Sequence, residues 1–447
     1  MVEAYRKPGV YSELIESPTL RAEAAMAKVV AIIGTSPRGS DEPTVFANAY
    51  LFNKFIGQEN EISSSLYSLP KGGAVCFEHQ PYAIMAVRIG CTRAEATFDG
   101  VLTFKAKAEH AGSQGDLIEI TVEAGTDSGK KVTVDNNSAY NEIVEEFDNL
   151  GTNDEIAEQI NATSRIIEVV VVAPTPLIND QGPMTLAGGT DGTEEDVDYA
   201  EFAAGIGALQ NVDVDIIVAL TELSNVAQYL KDHCLDMADV RKERIMIWGS
   251  QAGEAIANIQ GMGSTTLADA AGVASAGRAI VVSADSARRY NRSTGKIETL
   301  DGYYVAAALG GAASSRSVEE PLTRKPLPGF LSLPNKFTDD FMDIMAGTDR
   351  LCVIEERKEI LVRHGLSTAL QTSAYKEISV RRIEDHIMQE IRDSLDAQFI
   401  GKPSRPDTAA QIAAACASLL ANHVEDGLIN GYANVACARD PGDPMVY

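Results

Sequence analysis

Histidine is scarce in this sequence of 447 residues, with 6 copies, and tryptophan occurs once. No histidine stands in a recognisable constellation, which lowers the expectation of acid–base catalysis. The six cysteines, Cys76, Cys91, Cys234, Cys352, Cys416 and Cys437, include no CxxC pair. That spacing disfavours a disulfide framework or a zinc site and predicts reduced thiols, mostly in cores. No apolar run reaches the length that spans a bilayer, and the opening MVEAYRKPGVY lacks the apolar core of a signal peptide. The expectation is a protein made and kept in a cytoplasm. Positive charge is also short: 38 Lys+Arg against 64 Asp+Glu leaves a net charge of −26. Such a surface repels phosphate backbones and anionic lipid, so neither nucleic acid nor membrane is an expected partner.

Motifs that carry chemistry are equally thin. Gly34-Thr35-Ser36-Pro37-Arg38-Gly39-Ser40 follows an apolar run, where a phosphate loop would lie. It has neither the lysine of a Walker motif nor the third glycine of a dinucleotide fingerprint, and a surface turn is expected instead. Gly261-Met262-Gly263 is weaker still. In Trp248-Gly249-Ser250-Gln251-Ala252-Gly253 the glycine directly precedes the serine, so the spacing of a nucleophile elbow fails. His386 and Glu390 are one helical turn apart and could share a metal, but no third ligand is indicated; a salt network with Arg382 and Asp385 is the plainer reading. His79 and His364 have no partner pattern, and the acidic Thr193–Asp198 reads as the start of a helix. No catalytic, cofactor-binding or metal-ligating residue is assigned.

What the sequence does contain is a series of short, almost continuous apolar runs bounded by Gly, Pro and Asp. They are VVAIIG (Val29–Gly34), YAIMAVRI (Tyr82–Ile89), VDIIVAL (Val214–Leu220), RIMIW (Arg244–Trp248), AIVVS (Ala279–Ser283) and LCVIE (Leu351–Glu355). Runs of this kind predict strands buried on both faces, as in a parallel sheet covered by helices. Ser224 is placed to cap a helix bearing Val226, Tyr229, Leu230, Cys234 and Met237. The texture changes between Thr92 and Thr190. Leu102–Ala106, Leu117–Val122, Lys131–Val134 and Ile166–Val172 read as strands around a helical stretch, Ser138–Ala162. The length calls for more than one core. The predicted architecture is α/β and α+β multidomain: a covered mixed or parallel sheet, an inserted β-rich domain, and an N-terminal arm. The boundaries are residues 1–20 for the arm, 21–91 and 191–350 for the sheet domain, 92–190 for the insertion, and 351–447 for a C-terminal assembly domain. Residues 284–335 are poor in regular signal and are expected to wrap the surface or pass between elements. The clearest helix carries Ile383, Ile387, Ile391 and Leu395 as a four-residue ladder, and a second begins near Asp407 or Thr408 after Pro406.

Several stretches then resemble one family. Tyr5-Arg6-Lys7-Pro8-Gly9-Val10-Tyr11 is similar to the opening of contractile tail sheath proteins. Gly188-Gly189-Thr190-Asp191-Gly192, followed by Asp198-Tyr199 and VDVDIIVAL, is the most specific match. Arg363-His364-Gly365-Leu366, Glu377-Ile378-Ser379-Val380-Arg381-Arg382 and Phe399-Ile400-Gly401-Lys402-Pro403 add to it. Each is weak alone, and their order over nearly the whole chain makes the resemblance. It implies a non-enzymatic subunit without cofactors, made in the host cytoplasm and built into a tail sheath. Its partners would be copies of itself in helically stacked six-fold rings, the tail tube, and baseplate and tail terminator proteins. Tyr5, Pro8, Gly9, Val10, Tyr11 and Leu14 would belong to a subunit-linking arm that completes a neighbour's sheet. Arg381, Arg382, Arg392, Lys402 and Arg405 would face an acidic tube. Family members continue past the last helix with a strand arm, whereas this sequence ends at Asp440–Tyr447, implying a short arm or a truncated chain. The rival readings are an α/β enzyme with a regulatory insertion and another tail or baseplate component.

Overall fold

A computed structural model describes residues 29–59, 66–137, 142–249, 277–283, 286–291, 294–347, 350–369, 373–400 and 405–438. The proposed arm residues, Lys402, Gly261–Gly263 and Ser250–Gly253 lie outside these. The apolar runs become the centre of an eight-stranded sheet. Its strands are β1 (Val29–Gly34), β2 (Thr44–Phe46), β3 (Ala83–Arg88), β11 (Ile216–Ala219), β12 (Ile245–Gly249), β13 (Ala279–Ser283), β17 (Leu351–Glu356) and β18 (Glu359–Val362). The order is β18-β17-β13-β12-β11-β1-β3-β2. The six inner strands run parallel, and β2 and β18 add antiparallel edges.

Alternation along β1 divides its side chains between two cores. Val30 and Ile32 join one cluster and Ala31 and Ile33 the other, which is why the run reads as continuous. One face is covered by α4 (Tyr199–Ala208) and α5 (Ser224–Asp239). Asp198 opens α4 with a complete capping box to Glu201. In α5 the cap residue is Leu223 rather than Ser224, whose side chain makes no capping bond.

The other face is covered by α2 (Leu69–Phe77) and α6 (Gly302–Ser314), and α6 corrects an expectation. Residues 284–335 do not merely wrap the surface. They contain β14 (Ser286–Asn291), β15 (Lys296–Asp301), β16 (Phe330–Ser332) and α6, every residue of which is buried. The helix GYYVAAALGGAAS is apolar all round, so it shows no one-sided periodicity, and that pattern belongs to a helix enclosed on all sides. Its glycines permit the close approach: a Cβ on Gly311 would stand 2.5 Å from the Cys76 carbonyl oxygen.

Between β3 and α4 the chain leaves this sheet. It forms β4 (Glu95–Phe98), β5 (Leu102–Ala106) and β9 (Ile167–Val171) as one sheet. A second contains β6 (Glu119–Ala124), β7 (Lys130–Asp135), β8 (Val144–Leu150) and β10 (Gln181–Thr185). A separate core, including Phe98, Phe104, Ile120, Val134 and Ile160, lies between them. The helix expected over Ser138–Ala162 is corrected: residues 144–150 form β8, and α3 spans Asn153–Thr163. Gly151 separates the two, and the Thr152 hydroxyl accepts from the Glu155 amide to start the helix at that point. Beyond β16 come α7 (Asp339–Gly347), α8 (Ile378–Phe399) and α9 (Thr408–Glu425). β17 and β18 lie past residue 350 yet complete the main sheet.

Candidate assembly surface

The stretch Gly34–Ser40, expected to be a surface turn, is instead a packed connection. Thr35 and Ser36 are fully buried. The Ser36 hydroxyl donates to the carbonyls of Arg38 and Ile56, both at 2.8 Å, and Ser68 Oγ accepts from the Thr35 amide. A cleft of about 390 Å³ is lined by Asp343, Arg350, Cys352, Arg363 and His364 among others. Its polar groups are paired with each other or with neighbours: Arg363 with Asp343, and His364 with Glu377. Burial pushes the Cys352 thiol up to about 11, away from nucleophilic use.

The glycine-rich connector places a residue that the motif search did not single out. Arg88 ends β3 with its side chain wholly buried. It donates to the carbonyls of Ser36 (2.8 Å), Gly39 (2.7 Å) and Ala111 (2.8 Å), and to Asp191 (2.9 Å). Asp191 also accepts from the Ser113 amide and hydroxyl. One guanidinium thereby joins the main sheet, the residues after β5, and the connector that returns to α4. The sequence signal was a lone arginine inside the apolar run YAIMAVRI. Gly192, at φ +66, lets the connector cross Gly90, whose carbonyl oxygen stands 2.4 Å from where its Cβ would be.

Beside this connector lies a cluster of acids. Glu194, Glu222 and Asp301 face Tyr303, Tyr304, Ser68 and Lys71. Burial, then the Asp301 charge, raises the Glu194 carboxyl to about 7. Tyr303 donates to Asp301 at 2.8 Å.

The C-terminal helices are joined to this body mainly at the start of α8. Arg382 is buried and donates to the carbonyls of Ala313 (2.8 Å) and Arg316 (3.0 Å), at and just beyond the last turn of α6. It thus satisfies carbonyls that a helix end leaves open. Burial brings its guanidinium down to about 10. Arg381 stacks on Tyr375 at 4.3 Å and pairs with Asp385 at 3.0 Å. Asp385 in turn takes a two-pronged pair from Arg278, at 2.8 and 2.9 Å. Arg392 pairs with Glu243. Of the basic residues expected to face a tube, Lys402 lies outside the described residues, and the other four are differently placed. Arg381 and Arg382 point into the subunit, Arg392 is held at its flank, and Arg405 is exposed. Helical spacing could not reveal this, because the carbonyls that draw Arg382 inward belong to α6.

Further along, α8 and α9 lose contact with the body. In the ladder only Ile387 is buried; Ile383, Ile391 and Leu395 are half-buried, and Met388 is exposed. In α9, TAAQIAAACASLLANHVE, the one buried residue is His423. Its Nε2 lies 3.3 Å from a Glu390 oxygen, which is 3.6 Å from His386 Nε2. The His386–Glu390 pair thus gains His423 from α9, whereas Arg382 and Asp385, expected in the same network, bond to the Ala313 and Arg316 carbonyls and to Arg278 and Arg381. No trio of His, Cys, Asp or Glu among the described residues is arranged to hold a metal ion. Ile412, Cys416, Leu419, Leu420 and Val424 remain half-exposed on a helix whose only acid is Glu425. Apolar surface arranged this way is typical of a face that meets another protein.

No family model matches the chain. Among curated proteins it is 26% identical over 283 residues to the tail sheath protein of Mycobacterium phage Bxz1, covering 62% of this chain and 48% of that protein. It is 23% identical over 286 residues to the tail sheath protein of Bacillus phage SP01, covering 61% and 46%. The chain thus spans about half the length of the curated relatives it matches. Two solved sheath tail proteins share its fold. That of Listeria innocua gives a TM-score of 0.61 at 18% identity, over 90% of this chain and 87% of that one. That of Desulfitobacterium hafniense gives 0.56 at 14% identity, over 94% and 89%.

Proposed function

We propose that this chain, which resembles contractile tail sheath proteins in sequence and shares the fold of solved ones, is itself a sheath subunit. It polymerises around a tail tube and contracts to drive the tube through a target envelope. The observation that carries the reading is the joint one: sequence likeness to two phage sheath proteins, and a fold likeness covering nine-tenths of the chain or more. The role needs no reaction centre. Work comes from larger contacts between subunits in the contracted state, released as rigid-body movements.

In this proposal residues 21–91 and 191–350 form the sheath core, and residues 92–190 are an outward insertion. Residues 1–20 are an arm that adds a strand to a neighbour through Tyr5, Pro8, Gly9, Val10, Tyr11 and Leu14. Residues 351–447 serve assembly, their first two strands completing the core sheet and α8 and α9 supplying the contact face. Arg405 and Lys402 are the basic residues we assign to the tube; Arg381, Arg382 and Arg392 hold α8 in place. Copies of the chain, the tube, the baseplate and the terminator are the partners, assembled in the host cytoplasm. Deleting residues 1–20 tests the reading by sedimentation. A folded monomer that no longer forms long polymers is expected, and equal polymer yield from both forms would count against the arm.

A further inference from the structure

Three hairpin turns of this protein meet their need for left-handed backbone with glycine. They place Gly100 (φ +70) between β4 and β5, Gly129 (φ +69) between β6 and β7, and Gly295 (φ +68) between β14 and β15. The turn from β17 to β18 is built differently. Glu356 stands opposite Glu359, so the loop consists of Arg357 and Lys358, and both are left-handed, at φ +51 and +69. Positive φ at both central positions is the pattern of a type I′ turn, which favours Asn-Gly or Asp-Gly because a longer side chain is strained there. Two basic side chains occupy it in a chain with 64 Asp+Glu against 38 Lys+Arg.

The tip is also held in place. The chain before the hairpin braces it: the Arg324 and Leu327 amides donate to the carbonyls of Val362 (2.7 Å) and Ile360 (2.8 Å), and the Lys325 carbonyl accepts from the Val362 amide (2.9 Å). Arg324, itself left-handed at φ +62, reaches Glu356 at 2.6 Å, and Lys336 reaches Glu355 at 2.9 Å. These pairs offset two of the acids beside the turn. Arg357 and Lys358 are exposed where the outer strand pair of the main sheet ends. A braced backbone that presents two cations is pre-organised, and little further ordering is needed on contact. Strain held by its surroundings in this way is characteristic of contact sites.

We propose that the Arg357–Lys358 tip is a docking point for the acidic surface of a second copy of this chain. Charge complementarity selects the occupant. Copies at a net charge of −26 repel one another at long range, and a fixed basic tip supplies a directed attraction against that background. The strained turn is then kept for the contact and not for the fold. The inference rests on the sheath reading for the identity of the partner; the exchange of stability for contact at this turn does not.

The test rebuilds the turn in the full chain. Arg357→Asn together with Lys358→Gly gives the backbone the sequence it prefers. The thermal midpoint should rise by about 1–3 °C. Polymer yield in sedimentation at about 0.15 M salt should nonetheless fall about fivefold or more. Arg357→Lys with Lys358→Arg keeps both charges and should polymerise as wild type does. Raising the salt to about 1 M should narrow the gap between wild type and the first double variant. If that variant is more stable and still polymerises fully, the proposal is overturned. A midpoint that stays level or falls would show that the two residues serve the fold, and overturns it as well. Failure of the proposal alone leaves wild-type polymers intact, whereas a wild type that stays monomeric at every concentration contradicts the sheath reading and this docking point together.

Discussion

In β1, β3, β11 and β12 every side chain but that of Val29 is buried, whereas four of 22 residues are buried in α8 and one of 18 in α9. The strands are apolar along their length, α9 is largely apolar, and α8 is amphipathic with one apolar stripe. The sheet finds its cover within the chain, from α2 and α6 on one face and α4 and α5 on the other. Among the described residues the helix pair does not, and α8 is joined to the body through Arg382, the Arg278–Asp385 pair and the Arg392–Glu243 pair. In the reading proposed above, folding is completed in the sheet, and the burial that α8 and α9 lack among the described residues is left for another chain to supply.

Breaking the sheet side should cost most. Arg88→Ala removes a fully buried guanidinium and strands three carbonyls and Asp191. A loss of about 3–5 kcal/mol is expected in urea unfolding. Truncations of one chemistry then sharpen the contrast. Ile247→Ala in β12 should cost about 2–5 kcal/mol, while Ile391→Ala on the half-buried ladder should cost about 1 kcal/mol or less. The second should nonetheless lower polymer yield in sedimentation more than the first does at equal folded concentration.

The acid cluster gives a pH dependence of intermediate size. The Glu194 carboxyl is raised to about 7, first by burial and then by Asp301. A carboxyl raised on folding binds its proton more tightly in the folded state. Its contribution is full below its unfolded value near 4.5 and is lost as pH rises through about 7. Glu194→Gln should therefore gain about 1–3 kcal/mol over wild type at pH 8, after allowance for its partial exposure, and little at pH 4. Parallel unfolding curves at the two pH values check this. The smallest effect belongs to Arg405→Glu, which should change stability by about 0.5 kcal/mol or less while weakening any attachment to an acidic tube.

The sequence disclosed the regions unevenly, for physical reasons. The central strands were legible because enclosure on both faces leaves continuous apolar runs, and β1 and β13 fall where VVAIIG and AIVVS place them. The ladder on α8 was legible because Ile383, Ile387, Ile391 and Leu395 share one stripe. α6 was hidden by the same enclosure that makes it central, since a helix buried all round has no polar side to mark its period. The directions of Arg381 and Arg382 were also hidden. The Arg381–Asp385 pair is local to the helix, but the stacking on Tyr375 and the approach to the end of α6 are contacts that no local pattern encodes. The connector was visible as a glycine-rich motif, but its purpose appeared only once Arg88 met Asp191 across 103 positions of sequence.

Electron microscopy of the purified full chain, concentrated at neutral pH, tests the central claim most directly. If the half-covered helices and the arm exist to join copies, hollow tubes of regular helical repeat should fill the field. A uniform population of compact single particles at every concentration, with α8 and α9 as exposed as in the isolated subunit, would contradict it.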